Sequence, residues 1–518
     1  MSDGSESIGG GPDQAARERE KLGEAAAARG DRETARRCHE AALALRLARF
    51  EADPQDLAAL QAVGVSHERL GDLALGGGRL DAAASAFGAR HDAARRVLEA
   101  APDDPSSQRD LAVAEDRLGD LAMRRGAPAE AGRRYEAAMR IREGLFERFP
   151  DAPFVRGERA FGLQKLGEWA QATGDVETAR RRYEQALEVR MELAALDTEN
   201  LLALRNLAVV FSRLGVLAQN RRDVTECAER MSATNSLMRR IHAAKPDDLH
   251  AQIDLAMSWN QMGDLANIGG DLHTAVARHE QALALARAAA KAAPSNPETL
   301  RIVMTTLMRL GMALGRRADA ARGDFAPSRR RLEECVQIAR QITKLSPDDP
   351  TAEQELAEAL TQAGFAAYGD GDFQASWALW EQVVYLRSAR AAAGGAAAIA
   401  ALAAAEEQIG SAALQVEDWP RAAQWWRAAR DSRARARDAA PGDPAAEHAL
   451  ASTTERLGEA VMRVGDFDGA VAIFREAARL YQPIRERGAV LAEETERLSL
   501  MDSLLRGVDR LERSQGGT

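Results

Sequence analysis

The sequence predicts an all-α protein, a stack of about ten helical hairpins closed by one C-terminal helix, and three observations predict it. A Leu-Gly-type pair recurs at a step of 48 residues over most of the chain. A Pro-containing linker keeps the same beat. Between these markers the apolar residues fall at helical spacing, so each repeat reads as two helices and a turn.

The totals agree with this reading. A chain of 518 residues is too long for one ordinary domain. Hydrophobic residues make up 46% and aromatics only 5%, so Ala and Leu must supply most of the core, as in helical arrays. A net charge of -10 argues against a general nucleic-acid or anionic-membrane binder. Cys38, Cys227 and Cys335 lie far apart without a CxxC pair, so neither a disulfide framework nor a zinc site is expected, and no cofactor is called for. Residues 1–14 (MSDGSESIGGGPDQ) are polar and Gly-rich, which predicts a flexible tail with no signal peptide. No run of 18 or more apolar residues occurs, so no spanning segment is expected, and a bacterial-type cytoplasmic setting is the default.

Taken in order, the pairs are Leu22-Gly23, Leu70-Gly71, Leu118-Gly119, Leu166-Gly167, Leu214-Gly215, Met262-Gly263 and Leu310-Gly311, then Ala363-Gly364, Ile409-Gly410 and Leu457-Gly458. Pro54, Pro102, Pro150, Pro246 and Pro294 mark the linkers, in phrases such as APDDP that join a helix stop to a helix start. Within one unit, Leu111, Leu118 and Leu121 share a stripe with Ala114 and Ala122. Gly126, or its counterparts Gly30, Gly78, Gly174, Gly270, Gly371 and Gly465, ends the first helix, and a second helix runs to the next linker. Neither helix can bury its apolar face alone, so each hairpin must stack on its neighbour.

Leu118-Gly119, Ala122, Gly126, Ala131, Tyr135 and Ala138 follow one another as small and large slots, as do Leu166-Gly167, Ala170, Gly174, Ala179, Tyr183 and Ala186. This pattern resembles the tetratricopeptide repeat (TPR) over roughly Arg17–Tyr481. The resemblance implies a right-handed α-solenoid, here with units lengthened from the usual 34 residues to 48. It also implies that first helices line a concave groove.

Two irregularities interrupt the beat. Five extra residues around Arg316–Arg322 are expected in the turn of the seventh hairpin, and AAAGGAAA at Ala391–Ala398 replaces a Pro linker. Gly394-Gly395 therefore reads as a candidate hinge, dividing repeats 1–8 (15–393) from repeats 9–10 (394–482). Pro483 is expected to end a helix, residues 483–513 to form a capping helix, and 514–518 a tail.

Little chemistry is foreseen. Cys227 and Cys335 occupy slots filled elsewhere by Ala, and His39 and His279 occupy the slot of Tyr135 and Tyr183, so all four read as packing residues and no enzyme is expected. Five of seven Trp lie between Trp377 and Trp426, with Trp380 and Trp426 in that same aromatic slot. Arg124-Arg125, Arg221-Arg222 and Arg316-Arg317 read as closing three first helices. What remains is a ladder of acids around the Leu-Gly pair: Glu20 and Glu24, Glu68 and Asp72, Asp116 and Asp120, then Glu168 and Asp264. Arg69, Arg117 and Lys21, three residues before an acid on the same helix, offer local compensation. By the TPR resemblance these slots face the ligand, and they turn apolar at Met308, Met312 and Phe365. The expectation is a non-catalytic scaffold or adaptor whose partner protein or peptide carries a basic segment and an apolar anchor. The alternative is a regulatory or sensor subunit of a separately encoded effector enzyme.

Overall fold

The computed structural model describes residues 12–321, 323–347, 349–491 and 494–515, and among them the secondary structure is helical throughout, with 21 α-helices and no strand. The chain forms ten helical hairpins of the α-solenoid class and one end helix. It divides into two compact units, Met1–Ala352 and Glu353–Thr518.

In the first unit the hairpins are α1 (Pro12–Ala28) with α2 (Arg32–Ala52), α3 (Leu57–Gly76) with α4 (Leu80–Ala100), and α5 (Pro105–Arg124) with α6 (Pro128–Arg148). There follow α7 (Pro153–Ala172) with α8 (Val176–Leu196), α9 (Leu201–Asn220) with α10 (Val224–Ala244), α11 (Leu249–Ile268) with α12 (Leu272–Ala292), and α13 (Pro297–Ala321) with α14 (Ala326–Leu345). The second unit begins in the first turn of α15 (Pro350–Gly369), which pairs with α16 (Phe373–Ala392). It continues through α17 (Ala396–Gln415) and α18 (Trp419–Ala439), α19 (Pro444–Val464) and α20 (Phe467–Glu486), and α21 (Thr495–Gln515).

Local chemistry starts and stops these helices. Asp31, Asp56, Asp104, Asp175, Asp223, Asp248 and Asp271 each accept a backbone N–H of the following turn, a cap worth about 1 kcal/mol. At the hairpin turn the chain must enter the left-handed region. Gly30, Gly78, Gly126, Gly174, Gly270, Gly371 and Gly465 do so, whereas Arg222 and Glu417 adopt φ 60° without that freedom.

The Leu-Gly glycine has a different task. A Cβ at Gly119 would stand 2.6 Å from Cε1 of Tyr135, and at Gly167 it would stand 2.7 Å from Cε1 of Tyr183. The bare backbone of the first helix is the seat for one large side chain of the second. Across the ten hairpins that side chain is His39, Phe87, Tyr135, Tyr183, Met231, His279, Leu332, Trp380, Trp426 or Phe474.

Several expectations change at this level. The five extra residues do not form a turn; they lengthen α13 to 25 residues against 20 for α11, so Arg316-Arg317 lie inside a helix rather than at its end. Pro483 does not end α20, which runs on to Glu486 because Tyr481 and Ile484 on either side are buried against the end helix. α21 caps the second unit, burying Leu498 and Met501 in that core. Gly394 and Gly395, at φ 91° and 104°, lie inside the second unit, between α16 and α17. The expected N-terminal tail falls mostly outside the described residues, α1 starting at Pro12. α9 is long and apolar enough to cross a membrane, with mean hydropathy 1.7, yet here it packs between α8 and α10.

Within the first unit, the opening hairpin meets the linkers behind the sixth and seventh. Asn296 Nδ2 donates to the Ala28 carbonyl at 2.9 Å. The Arg32 guanidinium spans the Ser346 hydroxyl and the Gly76 carbonyl, both at 2.9 Å.

Candidate partner-binding site

The acids of the ladder are all close to cations, and the pairing has a rule. The acid just after the Leu-Gly glycine reaches the cation 45 residues later, on the first helix of the next hairpin. The distances are 3.2 Å for Glu24–Arg69, 3.4 Å for Asp72–Arg117, 2.8 Å for Asp120–Lys165, 3.1 Å for Glu168–Arg213 and 3.1 Å for Asp264–Arg309. The acid three residues before the glycine instead clasps a buried Arg of its own second helix. These are Glu20–Arg46 at 2.6 Å, Glu68–Arg90 at 3.3 Å and Asp116–Arg142 at 2.6 Å. One row therefore stitches hairpin to hairpin and the other locks each hairpin shut.

The same-helix compensation expected from Arg117 is present but long, 3.9 Å to Asp120. Burial pushes the carboxyls of Asp72, Asp116 and Asp264 up, against the pull of Arg117, Arg142 and Arg309 respectively. Tyr135 donates its hydroxyl to Asp120 at 2.7 Å, which ties the glycine seat to the ladder.

The apolar end of the ladder is different. Met308 is half-buried and Met312 exposed in the first unit, while Phe365, exposed and edge-on to Trp380 at 5.4 Å, belongs to the second. The expected residues thus fall into stitched acids and a few free apolar side chains.

A further row escapes the motif pattern. Val65, Val113, Phe161, Val209 and Met257 stand 48 residues apart, six before each glycine, and every one is half-buried or exposed on the first helices. The signal is there in the sequence, since five apolar residues repeat in one slot. It is hidden by the stronger core stripe on the same helices. Val113 and Phe161 line a hollow of about 300 Å³ with Glu68, Asp116, Arg117 and Lys165. The guanidinium of Arg142 stands 5.2 Å from the Phe161 ring centre. A larger cavity of about 710 Å³ adjoins it through Phe161, Arg109 and Glu158.

The tryptophan-rich stretch belongs to the core of the second unit: Trp377, Trp380 and Trp426 are buried, and the first two pack with Tyr368. Cys227 and Cys335 are buried in their Ala slots, and burial pushes the Cys227 thiol up.

No family model matches the chain, and no curated protein matches it in sequence. Among solved structures, the chain is similar to the apo form of RapI, with 10% identity over 82% of this chain and 98% of that one, at TM-score 0.45. It is similar to a Rap protein complexed with competence and sporulation factor, with 10% identity over 83% and 100%, at TM-score 0.41. It is also similar to BtubC from P. vanneervenii, with 15% identity over 60% and 92%, at TM-score 0.33. At such identities and scores these likenesses carry nothing about what this chain binds.

Proposed function

We propose that the protein is a non-catalytic, TPR-type scaffold or adaptor that captures a partner peptide or domain along the first helices of its first unit. One observation carries the reading: the row Val65, Val113, Phe161, Val209 and Met257, apolar and incompletely buried at every 48-residue step. An extended apolar segment laid across successive hairpins would meet one such side chain per step, bordered by charge pairs that set its register. In this reading the acids serve the stack first, and a basic partner segment meets carboxylates already held by Arg or Lys. Met312 and Phe365 remain free for contact in their own units. A cytoplasmic setting belongs to the same proposal.

The test replaces Val113 and Met257 with Asp, neither of which seats on a glycine. The full-length variant and the wild type are compared for partner capture from native-host extract by quantitative mass spectrometry. Loss of at least tenfold in one or more wild-type partners, with circular dichroism unchanged, supports the reading. Identical partner sets would sink it.

The regulatory alternative draws on Gly394 and Gly395. Both have positive φ, a backbone region that glycine enters freely, and a Cβ at either would meet no atom within 4 Å.

A further inference from the structure

The stack satisfies its buried arginines by a repeated arrangement, and around Arg190 that arrangement is broken in three places at once. Arg142 of α6 pairs with Asp116 of its own hairpin, at 2.6 Å, and with Glu158 of the next, at 3.3 Å. Arg190 of α8 holds the same slot 48 residues later. Its two counterpart acids are amides, Gln164 and Asn206, and the Gln164 amide is turned to Glu168, to which it donates at 3.1 Å. Arg190 is nine-tenths buried, its Nε has no partner, and no ion pair or hydrogen bond reaches its side chain among the described residues.

The third departure makes room beside it. Arg109 and Arg205 each cross to an acid 49 residues on, Glu158 and Asp254. The residue between them in the series is Gly157, and its cross-hairpin partner would be Asn206. A Cβ at Gly157 would stand 3.7 Å from Arg190 Nη1, so the absent side chain opens directly onto the guanidinium. The result is the 710 Å³ cavity, with Arg190 and Asn206 in its wall and the rings of Phe154 and Phe161 beside them.

We infer that this cavity binds a monocarboxylate carried on an apolar body, with the Arg190 guanidinium as its anchor. The carboxylate whose charge reaches Arg190, Glu158, is bonded to Arg109 and Arg142 instead; a buried guanidinium with no bonded anion is costly, and a planar carboxylate matches its fork of donors. The charge count selects a single negative charge. Of the four charged side chains in the wall, Arg109 is engaged by Glu158 and the Asp104 carboxylate caps α5 through Ser107, so Arg190 is the one without a bonded counter-charge, and a phosphate dianion would face two carboxylates. Phe154, half-exposed, and Phe161 give the apolar body its surface. The carboxylate has two sources, a free small acid or an Asp or Glu side chain on a partner. In the second case the site deepens the capture face that shares Phe161; in the first it stands without any protein partner.

The experiment measures binding to the full chain by isothermal titration. The probes are phenylacetate, N-acetyl-Asp-Phe-amide, its Asn-Phe counterpart and inorganic phosphate. Wild type is expected to bind at least one of the two carboxylates and neither the Asn peptide nor phosphate. Asn206→Asp, which returns the missing anion, is expected to weaken binding at least tenfold and to raise the melting temperature. Gly157→Arg, which refills the cavity, is expected to weaken binding as much, and serves if Asn206→Asp folds poorly. Binding of the Asp peptide alone supports the site and assigns it to a partner's acidic side chain; binding of phenylacetate alone supports it and assigns it to a small acid. No binding of either carboxylate, equal binding of phosphate, or undiminished binding by both variants would overturn it. Val113 and Met257 are untouched in these variants, so a failure here leaves the capture test standing.

Discussion

Acid should loosen the sixth hairpin through one residue, His279. Its ring lies on the bare backbone of Gly263, 1% exposed, where Tyr135 and Phe87 lie in other hairpins. Nδ1 is 3.1 Å from Asn260 Oδ1, and because Asn260 Nδ2 donates to Thr306 Oγ1 at 2.7 Å, its oxygen is left to accept from a neutral imidazole. Asp264 stands 3.8 Å from Nε2 and is shared with Arg309. Burial, with help from Arg309, pushes the imidazole down to about 4 from an ordinary 6.5. A folded-state value below the unfolded one means that the unfolded chain binds the proton first. The stabilisation is complete above pH 6.5, drains as pH falls, and levels off below about 4. At pH 5 the loss is about 2 kcal/mol. The perturbation is His279→Phe, since Phe87 and Phe474 already fill this slot over a glycine. Long repeat arrays do not unfold in two states, so the assay is hydrogen exchange of α11 and α12 peptides at pH 7 and pH 5, corrected for intrinsic rates. Wild type should lose about 2 kcal/mol of local protection over that interval. The variant should start about 1 kcal/mol lower, with Asn260 unpaired, and lack this loss. The raised Asp264 carboxyl has the opposite sign and is present in both proteins, so it largely cancels in the comparison. Equal loss in wild type and variant would refute the reasoning.

Two further outcomes follow from the same packing. Asp116→Ala strands Arg142, which has no exposed side-chain surface and keeps only the 3.3 Å contact to Glu158, and should cost about 3–5 kcal/mol in the third hairpin, read as exchange in α5 and α6. Arg222→Gly and Glu417→Gly relieve left-handed backbone at φ 60° and should each stabilise their own hairpin by up to about 1 kcal/mol, read as added exchange protection in α9 and α10 or in α17 and α18.

The hairpins were legible because their signals are local. A glycine seat, an Asp cap and an apolar stripe all act within a few turns of the residue that carries them, and the glycine seat recurs ten times, seven of them at a strict period of 48. The same locality explains the errors. Pro483 reads as a stop, yet α20 continues through it to Glu486, with Tyr481 and Ile484 buried on either side. The five extra residues read as a turn, yet they extend α13.

The candidate site was legible only in part. The ladder of acids could be seen, but its partners could not, because Glu24 and Arg69 become neighbours only once two hairpins are stacked. Arg190 shows the limit most sharply, since in the sequence it is one Arg among many. Its isolation depends on Gln164, Asn206 and Gly157, three ordinary residues that the stack brings to one place. By itself the sequence determined the unit, its two helices and the large side chain seated on each glycine, all set by interactions inside one hairpin. Only the tertiary structure decided which charges are matched and which one is not, because that depends on distances between hairpins, and no periodicity records those.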